Sequence, residues 1–141
     1  MQGGRRSGER KDQPVILGVG VDLVPVSRME RILRSRWADR FVQRVFSPEE
    51  IRACRDGAAP AQSYAARFAA KEALAKALGT GFSRGVSPTT VSVRGGERNR
   101  PEIMLTDKAL SVAQNMNVGA IYVSLSHTAE TACAFVVVES R

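Results

Sequence analysis

The sequence predicts an α+β chain of a single domain, with a mostly antiparallel sheet packed against a long central helix, and three observations carry that expectation. Strands and helices follow in the order β, α, α, α, β, β, α, β, β, with hairpins where a parallel sheet would need regular βα alternation. Residues 15–24 alternate strictly, the period of a strand. Residues 62–78 are rich in Ala, Lys and Glu and free of Pro and Gly, the composition of a stable helix. With 141 residues and 43% hydrophobic content, the chain has room for one core and not for two ordinary domains.

In the first strand Val15, Leu17, Val19, Val21 and Leu23 share one face, which is expected to be core. Ile16, Gly18, Gly20 and Asp22 share the other, where the glycines let another backbone or a ligand come close to Asp22. Ser27 with Glu30 is a capping-box signature for a helix running toward Arg40. Met29, Ile32, Leu33 and Trp37 form its apolar face, and Arg28, Arg31 and Arg34 lie opposite. Ser47, Pro48 and Glu50 repeat the start signal for a short helix that Gly57 stops. The central helix over 62–78 ends at Gly79. Residues 90–93 and 103–105 read as strands joined by a turn containing Gly95 and Gly96. Asp107 opens a further helix that ends near residues 117–119, and 120–126 with 131–138 form an antiparallel hairpin.

Residues 1–14 are polar and basic with no apolar run, and are expected to be a disordered leader or cloning remnant, leaving 15–141 as the domain. Nothing approaches the ~18 consecutive apolar residues of a membrane span, so a cytoplasmic location is expected. Cys54 and Cys133 are far apart, lack CxxC spacing, and read as buried free thiols. Twenty-one Lys and Arg against fourteen Asp and Glu give a net charge of +7, which favours an acidic partner without naming it.

Two carboxylates stand out. Asp22 lies near the end of an apolar strand, where an ionised group is costly unless a cation or several donors meet it. Glu72 shares a helical face with Tyr64, Ala65, Phe68, Ala75 and Gly79. The plain alternatives are a turn or cap role for Asp22 and an i,i+4 pair of Glu72 with Lys76. If the helix packs on the glycine face of the strand, the two acids converge as oxygen ligands suited to Mg²⁺. Gly79-Thr80-Gly81 is either a helix cap with an ordinary turn or a place where backbone amides approach an anion. His127 is either solvated or a donor to a phosphate. The arginine face of the first helix is either solvated or a docking surface for an acidic helix.

Taken together, these stretches resemble the short, stand-alone holo-acyl-carrier-protein synthases of the phosphopantetheinyl transferase superfamily. Gly18-Val19-Gly20-Val21-Asp22 with Arg28 and Glu30 is similar to the family's opening motif. Residues 67–73, Arg-Phe-Ala-Ala-Lys-Glu-Ala, with 76–81, Lys-Ala-Leu-Gly-Thr-Gly, are similar to its central signature, and Ser124-Leu125-Ser126-His127 to its closing one. The resemblance spans about residues 15–139, fits only loosely over 82–101, and implies the phosphopantetheinyl transferase fold.

It also implies transfer of the 4′-phosphopantetheine arm of coenzyme A to a serine of an acyl carrier protein, with release of 3′,5′-ADP. Asp22 and Glu72 would hold Mg²⁺, with Glu72 taking the serine proton directly or through a water. Lys76 would reach the diphosphate, and Arg67, Gly79 and His127 would contact coenzyme A, Arg67 and His127 at its 3′-phosphate. Arg28, Arg31 and Arg34 would dock the acidic carrier, and the chain would be a homotrimer with sites between subunits. The rival expectations are a non-catalytic basic module for phosphate or nucleic acid, which has no need of the two acids, and a relative that keeps the fold without activity.

Overall fold

The computed structural model describes residues 13–95 and 100–141. The leader expected up to residue 14 thus lies almost wholly outside the described residues, as does Gly96 of the turn expected there. Among the described residues five helices and five strands follow, one helix more than expected: β1 (Ile16–Pro25), α1 (Val26–Arg34), α2 (Ala38–Val45), α3 (Pro48–Arg55), α4 (Pro60–Leu78), β2 (Val91–Gly95), β3 (Pro101–Leu105), α5 (Asp107–Asn115), β4 (Val118–His127) and β5 (Thr131–Ser140). A short 3₁₀ turn at Pro88–Thr90 leads into β2. All pairings are antiparallel, but they form two sheets: β1-β5-β4 and β2-β3.

α4 is the axis of the domain. Its first turn opens on Pro60, and Gly79 ends it in the left-handed conformation at φ +78°, returning its N–H to the carbonyls of Ala75 and Lys76. Ala65, Ala69, Ala70, Ala73 and Leu74 are fully buried, so small side chains surround the helix and neighbours come close on several sides.

The faces of β1 are the reverse of the expectation. Val19, Val21 and Leu23 are 51%, 51% and 65% exposed, whereas Gly20 and Val24 are buried against α4. The cause is steric. A Cβ at Gly18 would stand 1.9 Å from the carbonyl oxygen of Ala77, and one at Gly20 1.8 Å from that of Ala73. The helix backbone occupies the space where side chains would be, so the glycine face is core and the valine face is left open.

The first predicted helix is two. Ser27 makes no cap, because α1 begins one residue earlier at Val26, whose N–H donates to the Glu130 carbonyl at 2.8 Å. Ser35 ends α1, its N–H and hydroxyl both donating to the Ile32 carbonyl. Trp37 therefore lies off the apolar face, 53% exposed, with the Arg36 guanidinium 4.6 Å and the Arg40 guanidinium 5.9 Å from its ring centroid. Met29 is the buried anchor of α1.

The Ser47 capping box forms as expected: the Glu50 N–H donates to Ser47 Oγ at 3.3 Å and the Ser47 N–H to Glu50 Oε1 at 2.9 Å. Cys54 is a free, buried thiol pushed above its ordinary value by desolvation. Cys133 is only half-buried, on the open face of the sheet.

The glycine contact supplies a direct test. Gly20→Ala is expected to cost about 3 kcal/mol or more, because overpacking here meets backbone instead of a movable side chain. Gly95→Ala, where a Cβ would meet nothing within 4 Å, is the control and is expected to stay within about 0.5 kcal/mol. Urea unfolding of the two variants checks both; equal stabilities would refute the contact.

Candidate active site

Because α4 lies on Gly18 and Gly20, the next inward position of β1, Asp22, faces the same helix two turns from its end. Lys76 spans the gap. Its Nζ donates to Asp22 Oδ1 at 3.0 Å and to the Val21 carbonyl at 3.0 Å. The Asp22 side chain is 18% exposed and that of Lys76 52%, so the pair stands at the rim of the core and not inside it.

Glu72 is one turn before Lys76 on the same helix. Burial pushes its carboxyl above the usual carboxylate range, and the Asp22 charge pushes it further. Lys76 and Arg28 pull the other way. Asp22, Glu72, Lys76 and Arg28 thus form one electrostatic cluster, with the two acids near enough to repel. The packing puts Asp22 on the side of β1 that faces α4, where its charge acts on Glu72. Two plain alternatives fall away: Asp22 is paired within the sheet opposite Ala134, and the ion pair of Lys76 among the described residues is with Asp22, not Glu72.

As a donor set, two carboxylates at a solvent-facing edge suit Mg²⁺, which takes one or two carboxylates and completes its shell with water and phosphate oxygens. A divalent cation there would offset the burial and the Asp22 charge that raise the Glu72 carboxyl.

The Gly79-Thr80-Gly81 turn takes the first of its two expected forms, a helix cap with an ordinary turn. The N–H groups of Gly79, Thr80 and Gly81 all donate to α4 carbonyls, at 3.0, 3.2 and 3.1 Å, so these amides cap the helix and do not point at an anion. Gly79 keeps a different use, since nothing lies within 4 Å of where its Cβ would be.

Arg67 sits nine residues before Lys76, about 13.5 Å along the helix axis. It lines a cavity of about 300 Å³ with Val93, Arg94, Gly95, Pro101 and Leu125. Its Nη1 donates to Ser63 Oγ at 2.5 Å, while its Nε is buried without a hydrogen-bond partner among the described residues. His127 ends β4, exposed, opposite Ala132, which in turn pairs with Val24. It therefore shares the α4-facing side of the sheet with Asp22, two strands away, about 10 Å from β1. Arg28, Arg31 and Arg34 are exposed on α1, Arg34 in a loose pair with Glu30 at 3.6 Å. A cleft of about 700 Å³ runs between β3 and β4 and contains neither Asp22 nor Glu72.

Sequence reasoning passed over one pair altogether. Lys71 and Glu50 are buried to 0% and 2% exposure and meet at 2.7 Å. A signal was present: the helical neighbours of Lys71 at i±3 and i±4 are Arg67, Phe68, Leu74 and Ala75, with no carboxylate among them. A cation in such a stripe needs a partner from elsewhere in the fold.

A sequence model of the 4′-phosphopantetheinyl transferase superfamily matches residues 18–136. The chain belongs to that superfamily. Within it, the chain is 42% identical over 125 residues to a holo-[acyl-carrier-protein] synthase of Syntrophus aciditrophicus, covering 89% of this chain and 97% of the relative. Among solved structures, the holo-[acyl-carrier-protein] synthase of Neisseria meningitidis superposes with a TM-score of 0.82 at 31% identity, covering 88% of this chain and 98% of that one. The Helicobacter pylori synthase, solved with coenzyme A, gives 0.75 at 33% identity, covering 85% and 98%. The transferase fold is thus shared over nearly the whole described domain.

The raised Glu72 carboxyl has a consequence for stability. A carboxyl whose folded value lies above its unfolded one weakens the fold above the folded value and has no such effect below the unfolded one. In the presence of chelator, Glu72→Gln is expected to raise the unfolding temperature at about pH 7, and the gain is expected to shrink toward zero by about pH 4. Thermal melts across that range check it; a gain independent of pH would refute the electrostatic cause.

Proposed function

We propose that the chain moves the 4′-phosphopantetheine arm of coenzyme A onto a serine of an apo acyl carrier protein, releasing 3′,5′-ADP, in a Mg²⁺-dependent reaction. The observation that carries this reading is the glycine-bounded contact of β1 and α4, which sets Asp22 against Lys76, one turn beyond Glu72, with the Asp22 charge acting on Glu72. The likeness to holo-[acyl-carrier-protein] synthases over nine-tenths of the chain supports the substrates.

The serine oxygen forms a bond to the β-phosphorus of coenzyme A as the bond from that phosphorus to the bridging oxygen breaks. Glu72 is placed to take the serine proton, directly or through a water, and its burial makes it a stronger base than a solvated carboxylate. Asp22 and Glu72 would hold Mg²⁺, which when bound neutralises charge on the diphosphate and fixes its geometry. Lys76, whose side chain is 52% exposed, is free to move from Asp22 to a phosphate oxygen, and the open space at Gly79 leaves room beside it. Arg67 and His127 meet the 3′-phosphate.

Arg28, Arg31 and Arg34 form the docking face for the acidic carrier. Arg28 is also close enough to influence Glu72, so Arg31 is the cleaner probe of docking. The open face of the three-stranded sheet, with Val21, Leu23, Tyr122 and Phe135 at 46–65% exposure, supports assembly into a homotrimer with sites between subunits. Among the described residues no helix is long and apolar enough to cross a membrane, and we place the reaction in the cytoplasm.

Incubation with coenzyme A, Mg²⁺ and apo carrier is expected to add the phosphopantetheine mass to the carrier. Chelator, Asp22→Asn and Glu72→Gln are each expected to abolish it, read by mass spectrometry on folded protein. Arg31→Glu is expected to raise the carrier KM while leaving that for coenzyme A unchanged. No mass gain with any of several carriers would overturn the reading. Phe135→Arg is expected to convert a trimer, seen by sedimentation equilibrium, into an inactive monomer; an active monomeric wild type would overturn the assembly.

A further inference from the structure

The buried Glu50–Lys71 pair takes no part in the chemistry above, yet it joins four pieces of the fold. Lys71 Nζ donates to Glu50 Oε1 at 2.7 Å, to the Pro88 carbonyl at 2.9 Å and to the Val91 carbonyl. All three of its protons are used. Glu50 Oε1 also accepts the Ser47 N–H, and Oε2 accepts the Val93 N–H at 2.9 Å. The start of α3, the middle of α4, the 3₁₀ turn and β2 are therefore tied at a single buried point.

That point lies directly behind the Arg67 cavity. Arg67 is one turn before Lys71 on α4, and Val93, whose N–H is held by Glu50, lines the same cavity next to Arg94. Without the pair, little of comparable directionality would fix β2 against α4. On the other side of α4, the glycine contact with β1 sets Asp22 against Glu72 without help from Glu50 or Lys71. The helix thus carries two separately fixed walls, one for the acids and one for the guanidinium pocket.

A buried ion pair is not needed for stability as such, since matched apolar replacements are often neutral or stabilising. What it supplies here is direction, because Lys71 holds the Val91 carbonyl and Glu50 the Val93 N–H of β2, while three further hydrogen bonds fix the pair to the 3₁₀ turn, to the start of α3 and to each other. We propose that Glu50 and Lys71 are positioning residues that hold the Arg67 cavity in register with the acid pair, so that the 3′-phosphate of coenzyme A is recognised while the diphosphate lies at Asp22 and Glu72. The inference rests on the coenzyme A reading above and adds to it a division of labour between two sides of one helix.

The test compares coenzyme A with 3′-dephospho-coenzyme A as donors to the same carrier. Wild type is expected to prefer coenzyme A in kcat/KM. In Glu50→Gln, which sets an amide against the Val93 N–H, and in the near-isosteric Glu50→Gln/Lys71→Met, the preference is expected to fall by at least about ten-fold, the worth of a charge-assisted hydrogen bond. The fall should come from a raised KM for coenzyme A, with transfer from the dephospho donor retained. An unchanged preference, an equal loss with both donors, or the failure of both variants to fold would each overturn the positioning role. So would a wild type indifferent to the 3′-phosphate. Absence of transfer by wild type from either donor would instead overturn the transferase reading itself.

Discussion

The structure depends on backbone meeting backbone. Two glycines of β1 lie against the carbonyls of Ala73 and Ala77, closer than any side chain would permit. This contact decides which way the strand faces. It also places Asp22, two residues along, within reach of Lys76 and within electrostatic range of Glu72. A strand with alanines at 18 and 20 would have to stand off the helix, and the acids would separate with it.

The contact also explains why the acids tolerate partial burial. Asp22 is met by a lysine that simultaneously takes the Val21 carbonyl, so the strand's last inward polar groups are satisfied from the helix. Glu72 has no comparable donor among the described residues and bears the strain of its neighbour. The two acids thus differ: Asp22 is anchored by a lysine, whereas burial and the Asp22 charge raise the Glu72 carboxyl.

Most of the element order was legible, because the signals were local: the Ser47 capping box, the Pro- and Gly-free stretch of α4, the αL stop at Gly79 and the closing hairpin. The close approach of α4 on the Asp22 side of β1 was legible for a related reason, since glycines at 18 and 20 announce it. What failed was inference from hydrophobicity alone. Alternation gave the period of β1 correctly but not its inward face, because the hydrophobic side was assumed to be the covered one. Ser27 resembled a cap, but a carbonyl from the distant Glu130 took over the start of α1. Glu50 and Lys71 are 21 residues apart, and only the tertiary fold brings such a pair together. For the turn after α4 the sequence left a helix cap and an anion-facing loop both open, because glycine spacing describes conformational freedom and not the direction in which N–H groups point.

The stacked indole at the α1–α2 junction has an optical consequence. Trp37 is the only tryptophan, and its ring is about half open to water, with the Arg36 and Arg40 guanidinium groups against it. Its emission is therefore already that of a solvated ring in the native protein, so denaturation will move the wavelength little and the core will be silent in that channel. The same probe is well placed to register whatever approaches this arginine-rich corner.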